Sequence, residues 1–347
     1  RVSGSEGADL IDWMWSLSYF YEFTNRRSLA EETFNQCLDA CIKMYGKSHE
    51  KTIMLMDMKA DILASDGLFD AAFQLLDEAI NTSQATFGPF HPRTLTSLCT
   101  LSFFYRKQGN YSMSEKVLVE CVAVSELHLG KQHPVTLDAM NHLSILRLLQ
   151  GHLAESDILS REVFSLKRKV YGDFHIESIF AGFNLAASLR EQGKYSEAEP
   201  IIFDCLAKCE STMGGTSRMT ATIEMGIQTD ILINGGKLTD AGELLNKNLA
   251  DCQAHFGATH PLVLDLQSSL GHLYFMQGNL LEAEVVLLNC LSERQKVLGE
   301  THPSNFRDSL MLAKVLMQGK KMNAEDILKQ CLVGCKIKMG HSHPFTI

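Results

Sequence analysis

Leu129-Gly130-Lys131-Gln132-His133-Pro134 recurs as Leu298-Gly299-Glu300-Thr301-His302-Pro303, and its skeleton runs through the whole chain. His49, His91, His133, His175, His260, His302 and His343 each follow a glycine by three residues. The steps between these histidines are 42, 42, 42, 85, 42 and 41 residues. The long step holds a degenerate copy, Gly214-Gly215-Thr216-Ser217, with Ser217 in the place of the histidine. A fixed period of this length means one supersecondary unit repeated, which is the signature of a solenoid.

Within a period the pattern is helical. Around Asn184-Leu185-Ala186 and Leu189 the apolar residues recur at spacings of three and four, and Ala198, Ile202 and Cys205 resume that spacing. Gln192-Gly193-Lys194 interrupts the two runs with a glycine suited to ending a helix. The turn glycine repeats as Gly67, Gly109, Gly151, Gly193, Gly235 or Gly236, Gly278 and Gly319. Five residues later a small side chain follows each: Ala72, Ser114, Ser156, Ala198, Ala241, Ala283 and Ala324. Each unit therefore reads as helix A, tight turn, helix B and a Gly-x-x-His-Pro junction, with the proline at a first helical position. The expectation is an all-α array of about eight antiparallel helix pairs over 1–347, near 8–46, 50–88, 92–130, 134–172, 176–214, 218–257, 261–299 and 303–340. Residues 343–347 open a further helix.

Gln192-Gly193-Lys194-Tyr195-Ser196-Glu197-Ala198-Glu199, preceded by Asn184-Leu185-Ala186, resembles a tetratricopeptide repeat. With the Gly-x-x-His-Pro junction and the 42-residue period, it is similar to the long repeat of kinesin light chains. The resemblance implies a right-handed superhelical solenoid whose concave face, lined by the A helices, binds peptide segments or partner proteins. Kinesin light chains carry paired asparagines in their A helices that grip the backbone of a bound peptide. Of the corresponding positions here, Asn141 and Asn184 keep asparagine, whereas Asp57 and Met58 stand at one pair and Cys99 and Thr100 at the next.

Bulk composition agrees with an interaction module. The net charge is −9 without a Lys/Arg stripe, which argues against nucleic acid or an anionic membrane as the main partner. No apolar run approaches the ~20 residues that span a bilayer. Nine of the ten cysteines fall in register on B helices, where a small buried hydrophobe is wanted, and Cys99 stands apart on an A helix. Such usage fits core packing in a reducing, cytoplasmic setting rather than a disulfide framework. The histidines lie one helix pair apart, too far to share an ion, so they read as junction packing or helix N-terminal hydrogen bonding. No motif calls for a metal, a cofactor or a catalytic nucleophile. The opening Arg1-Val2-Ser3-Gly4-Ser5 reads as an internal point of a longer protein.

Counting back from each turn glycine places Trp15, Tyr19, Asp57, Asp61, Cys99, Phe103, Arg106, Asn141, Phe183, Arg190 and His272 on the inward face of the A helices, and the resemblance adds Asn184. Aromatic and arginine side chains are the usual anchors of binding. The leading expectation is thus a non-enzymatic scaffold that holds a peptide or partner protein in the A-helix groove. A second reading is the sensor or autoinhibitory arm of a larger NTPase switch of the immune-receptor kind. A third is an enzyme with a substrate in the lumen, using Asp57, Asp61 and His272.

Overall fold

The structure is a computed structural model that describes residues 13–14, 16–18, 21, 26–65, 68–213, 218–298, 303–320 and 324–339. The described residues form helices, with no strand among them. We number the helices α1 (Arg27–Tyr45), α2 (Glu50–Ser65), α3 (Phe69–Phe87), α4 (Pro92–Lys107), α5 (Tyr111–Leu129), α6 (Pro134–Leu149), α7 (Leu153–Tyr171) and α8 (Ile176–Glu191). They continue as α9 (Tyr195–Met213), α10 (Arg218–Asn234), α11 (Leu238–Phe256), α12 (Pro261–Met276), α13 (Leu280–Leu298), α14 (Pro303–Gln318) and α15 (Ala324–Met339). The A helices are α2, α4, α6, α8, α10, α12 and α14, and α1 is the B helix that precedes them. The all-α helix-pair architecture anticipated from the period is present. Trp15, Tyr19, the Gly214–Ser217 junction, His302 and 343–347 lie outside the described residues.

The chain forms two compact units, 1–146 and 147–347. In unit 1, one core joins Phe34, Cys37, Leu38 and Cys41 to Ile53, Leu55, Met56 and Ala79. The next joins Ala60, Ala64, Ala72, Leu76, Ile80 and Phe104. Unit 2 repeats this between α8 and α9, α11 and α12, and α13 and α14. In both units an A helix also touches the A helix of the following pair, as α2 does α4 and α12 does α14. The cysteine reading holds for Cys37, Cys41, Cys121, Cys205, Cys209, Cys252 and Cys290, which are all buried.

The junction explains the histidine ladder. At Gly88 the backbone turns to φ +95°, a conformation that other residues resist, and its N–H still donates to Gln84 O. Three residues on, His91 caps α4: its Nδ1 accepts the Arg93 N–H at 3.2 Å. His49, His133, His175 and His260 do the same for the residue two further on. The residue before the glycine is often aromatic and lies on the imidazole. Tyr45–His49, Phe87–His91, Tyr171–His175 and Phe256–His260 stack at 4.5 to 4.8 Å. In unit 1 a threonine six residues after the glycine closes the loop, with Thr52, Thr94 and Thr136 donating to the glycine carbonyl at 2.8 to 2.9 Å.

Close approach inside a pair rests on small residues. Ala72, Ala198, Ala241 and Ala283 are fully buried where the two helices meet. On α12, a Cβ at Gly271 would sit 2.6 Å from Leu287 Cγ, whereas one at Gly226 on α10 would meet nothing within 4 Å. Gly271→Ala is therefore expected to lose stability, because overpacking of about 1–3 kcal/mol outweighs the helix-propensity gain. Gly226→Ala is expected to gain up to about 1 kcal/mol. Urea denaturation of the two variants, with opposite shifts of midpoint, checks both.

Candidate binding groove

The A helices α2, α4 and α6 of unit 1, with Phe34 of α1, line an open cavity of about 430 Å³. Its floor is made by a buried ion pair. Arg93 Nη2 on α4 donates to Asp57 Oδ2 on α2, and Ser97 Oγ donates to the same oxygen at 2.8 Å. The two charged side chains are 9% and 6% exposed, which takes the pair out of the screened surface regime. Asp57 Oδ1 and Arg93 Nε are buried without a hydrogen-bond partner. Burial pushes the Asp57 carboxyl up from 3.8 to about 6, against the pull of Arg93 and Ser97.

The walls are apolar: Phe34, Met54, Met58, Ile62 and Phe103, with Thr96 and Thr100 between them and His142 from α6. Two cations lie over the Phe103 ring, Arg106 at 4.9 Å and Lys107 at 4.5 Å. Lys107 Nζ also reaches Asp61 Oδ1 at 3.4 Å. Arg106 is half-buried on α4, and burial lowers its pKa. Asp57 and Asp61 thus each face a cation.

Unit 2 has a smaller cavity of about 160 Å³, lined by Asp230, Ser268, Ser269, His272, Arg307, Leu310, Met311 and Lys314. Arg190 Nη1 meets Asp230 Oδ2 at 3.2 Å from the neighbouring A helix. Burial raises the Asp230 carboxyl and lowers the His272 imidazole. Beneath the cavity Asp308 is fully buried, accepting from Ser268 Oγ at 2.6 Å and Arg294 Nε at 2.8 Å. Arg294 Nη1 extends the network to Asp265, which Arg307 also reaches. Here Ser268 stands eleven residues after Gly257 and Asp308 nine after Gly299, while Asp57 stands eleven after Gly46 and Ser97 nine after Gly88. The same two repeat positions meet in both units, with acid and hydroxyl exchanged.

The structure thus brings Asp57, Asp61 and Phe103 to the unit 1 cavity with Arg106 against its wall, and His272 to the unit 2 cavity, where Arg190 pairs with the lining residue Asp230. Two of the residues expected on the inward face lie elsewhere. Cys99 is buried against Cys121, their sulfurs 3.6 Å apart. Phe183 is 2% exposed in the core of α8 and α9 among Ile179, Leu189 and Cys205. The reason is packing: its ring is worth more buried than wet. Asn141 and Asn184 are half-buried on α6 and α8, and α6 meets the cavity through His142. Sequence reasoning missed Arg93 and Arg294 altogether. The available signals were Asp57 at an A-helix position bordering the next repeat and Asp308 in a run of otherwise apolar register.

Tetratricopeptide-repeat models match residues 52–126 and, in a second form, 136–177, 184–217 and 263–304. The chain belongs to the tetratricopeptide repeat family. No curated protein matches it. Among solved structures, it is similar to a Podosopora anserina putative kinesin light chain with nearly identical TPR-like repeats. That match has 21% identity and a TM-score of 0.52, over 59% of this chain and 97% of that one. BtubC (BKLC) from P. vanneervenii matches at 12% identity and a TM-score of 0.52, over 72% and 94% of the two chains. A Rap protein complexed with Competence and Sporulation Factor matches at 10% identity and a TM-score of 0.51, over 95% and 99%. At these identities the likeness is one of fold. No helix among the described residues is long and apolar enough to cross a membrane.

The Asp57 carboxyl has a consequence for stability. Between 3.8 and about 6 the folded chain holds a proton that the unfolded chain has released. Its contribution to stability therefore falls as pH rises through that window. Asp57→Asn is expected to flatten this slope relative to the parent, read by urea denaturation at stepped pH. Asp57→Ala strands the Arg93 charge and is expected to cost about 3–5 kcal/mol.

Proposed function

We propose that the chain is a protein-interaction scaffold that seats an extended peptide segment of a partner in the A-helix groove of unit 1. The observation that carries this reading is the cavity of about 430 Å³ between α2, α4 and α6, apolar-walled and floored by a buried charged pair. Its volume is that of a site for a few side chains. Met54 and Met58 give an adaptable apolar surface, since an unbranched thioether side chain repacks around different shapes. Phe103 supplies a rigid aromatic wall of the type that anchors binding. Membership of a family of helical-repeat scaffolds supports the same reading.

Selection of a displayed random-peptide library on the immobilised chain tests it. Enriched peptides are expected to lose about tenfold or more in affinity for Phe103→Ala, measured by fluorescence anisotropy, as for a central hot-spot residue. Leu127→Ala is the control: Leu127 is 80% exposed on the B helix α5 and is expected to leave affinity unchanged. Peptides that bind both variants equally well would sink the groove assignment.

A further inference from the structure

Cys99 and Cys121 face each other across a helix pair. Cys99 lies on α4 and Cys121 on α5, with Sγ–Sγ 3.6 Å and exposures of 5% and 1%. Cys41 shares a hydrogen bond with Thr52, and Cys290 donates to the Leu264 carbonyl as Cys121 does to that of Leu95. We propose that Cys99 and Cys121 form a redox modification site, a dithiol that closes to a disulfide between α4 and α5 under a peroxide oxidant. The site stands whatever the neighbouring cavity binds.

The two sulfurs are already in van der Waals contact. A disulfide requires the sulfurs at roughly 2.05 Å, and rotation about the two Cα–Cβ bonds brings thiols in van der Waals contact toward that distance. The shared hydrogen bond also separates their roles. It holds the Cys121 thiol below its ordinary value, against burial, while the same bond and burial raise Cys99 well above its own. Cys121 is thus the more acidic of the two thiols and Cys99 the one that keeps its proton.

The chemistry balances. The Cys121 thiolate attacks one peroxide oxygen, the O–O bond breaks, and hydroxide leaves to take up the proton Cys121 had released. Cys121 is then a sulfenic acid. The Cys99 sulfur attacks the Cys121 sulfur, the S–O bond breaks, and the hydroxyl departs with the Cys99 proton as water. Two thiols and one peroxide give one disulfide and two waters, with the sulfur pair oxidised by two electrons. Burial makes the first step depend on local opening of the helix pair. It also keeps the sulfenic acid short-lived, because its resolving thiol is already in contact. Closure ties α4, which carries Arg93 and Phe103, covalently to α5.

The test is to treat the full chain with hydrogen peroxide under native conditions, then quench, denature in iodoacetamide and digest for mass spectrometry. The expected product is a linked peptide pair holding Cys99 and Cys121, two hydrogens lighter than the separate thiols and released by dithiothreitol. It should exceed other Cys–Cys linkages by on the order of tenfold, following thiolate character and proximity. In Cys99→Ser the sulfenic acid on Cys121 should persist and be trapped by dimedone, whereas in Cys121→Ser, Cys99 should remain an alkylatable thiol. Full alkylation of both cysteines in the treated parent protein overturns the proposal. So does a linkage that forms only when peroxide is added in urea.

Discussion

One carbonyl per junction holds the repeats of unit 1 in order. The oxygen of Gly46, Gly88 or Gly130 accepts the hydroxyl of the threonine six residues on, and lies 3.2 to 3.5 Å from the N–H of the junction histidine. It is free to do so because the glycine has left the helix in a left-handed conformation. The histidine thereby reaches the position from which its ring caps the next helix, and the preceding aromatic settles on that ring. The B helix end, the A helix start and the direction between them are set by these few atoms. At the Gly172–His175 and Gly257–His260 junctions of unit 2 the histidine and glycine keep their parts, but Ser178 and Val263 stand where the threonine would be.

The period, the helix pairing and the structural role of the histidines are legible because each is repeated, and repetition averages away local ambiguity. The groove is less so. Facing is decided by about 100° per residue, so an error of one position exchanges groove for core. Phe183 shows this: counting places it inward, yet it lies buried, beside a glycine, Gly182, that leaves room against Cys205 and Phe164. Asn141 and His142 show it again, since His142 lines the cavity. Arg93 and Arg294 are illegible for another reason. A buried arginine is identified by its carboxylate, and the partners of these two lie 36 and 14 residues away on other helices.

Both cavities are underlain by charge where a solenoid of this composition had apolar options. A buried ion pair adds little net stability once desolvation is counted, but it imposes a geometry that apolar packing does not. Arg93 is oriented by Asp57 and Ser97 together, and Arg294 by Asp308 and Asp265 together. Successive A helices are therefore held at one rotation about their axes, and the rotation determines which side chains meet the groove. Met58 and Phe103 face a common space because the pair beneath them fixes the helices that carry them.

The exchange of acid and hydroxyl between Asp57–Ser97 and Ser268–Asp308 makes the repeats non-interchangeable. At these two contacts, α2 with α4 and α12 with α14, each A helix carries one half of a lock whose other half is on its neighbour. Splicing the pair that begins at α14 directly after the one that begins at α2 would set Asp57 against Asp308, two carboxylates in a dry contact. Splicing α4 after α12 would set Ser268 against Ser97, leaving Arg93 without Asp57 and Arg294 with Asp265 alone. A chain built by copying one module thus acquires an internal addressing system: recombined or duplicated modules fit only beside a neighbour of matching polarity, although their backbones are nearly the same.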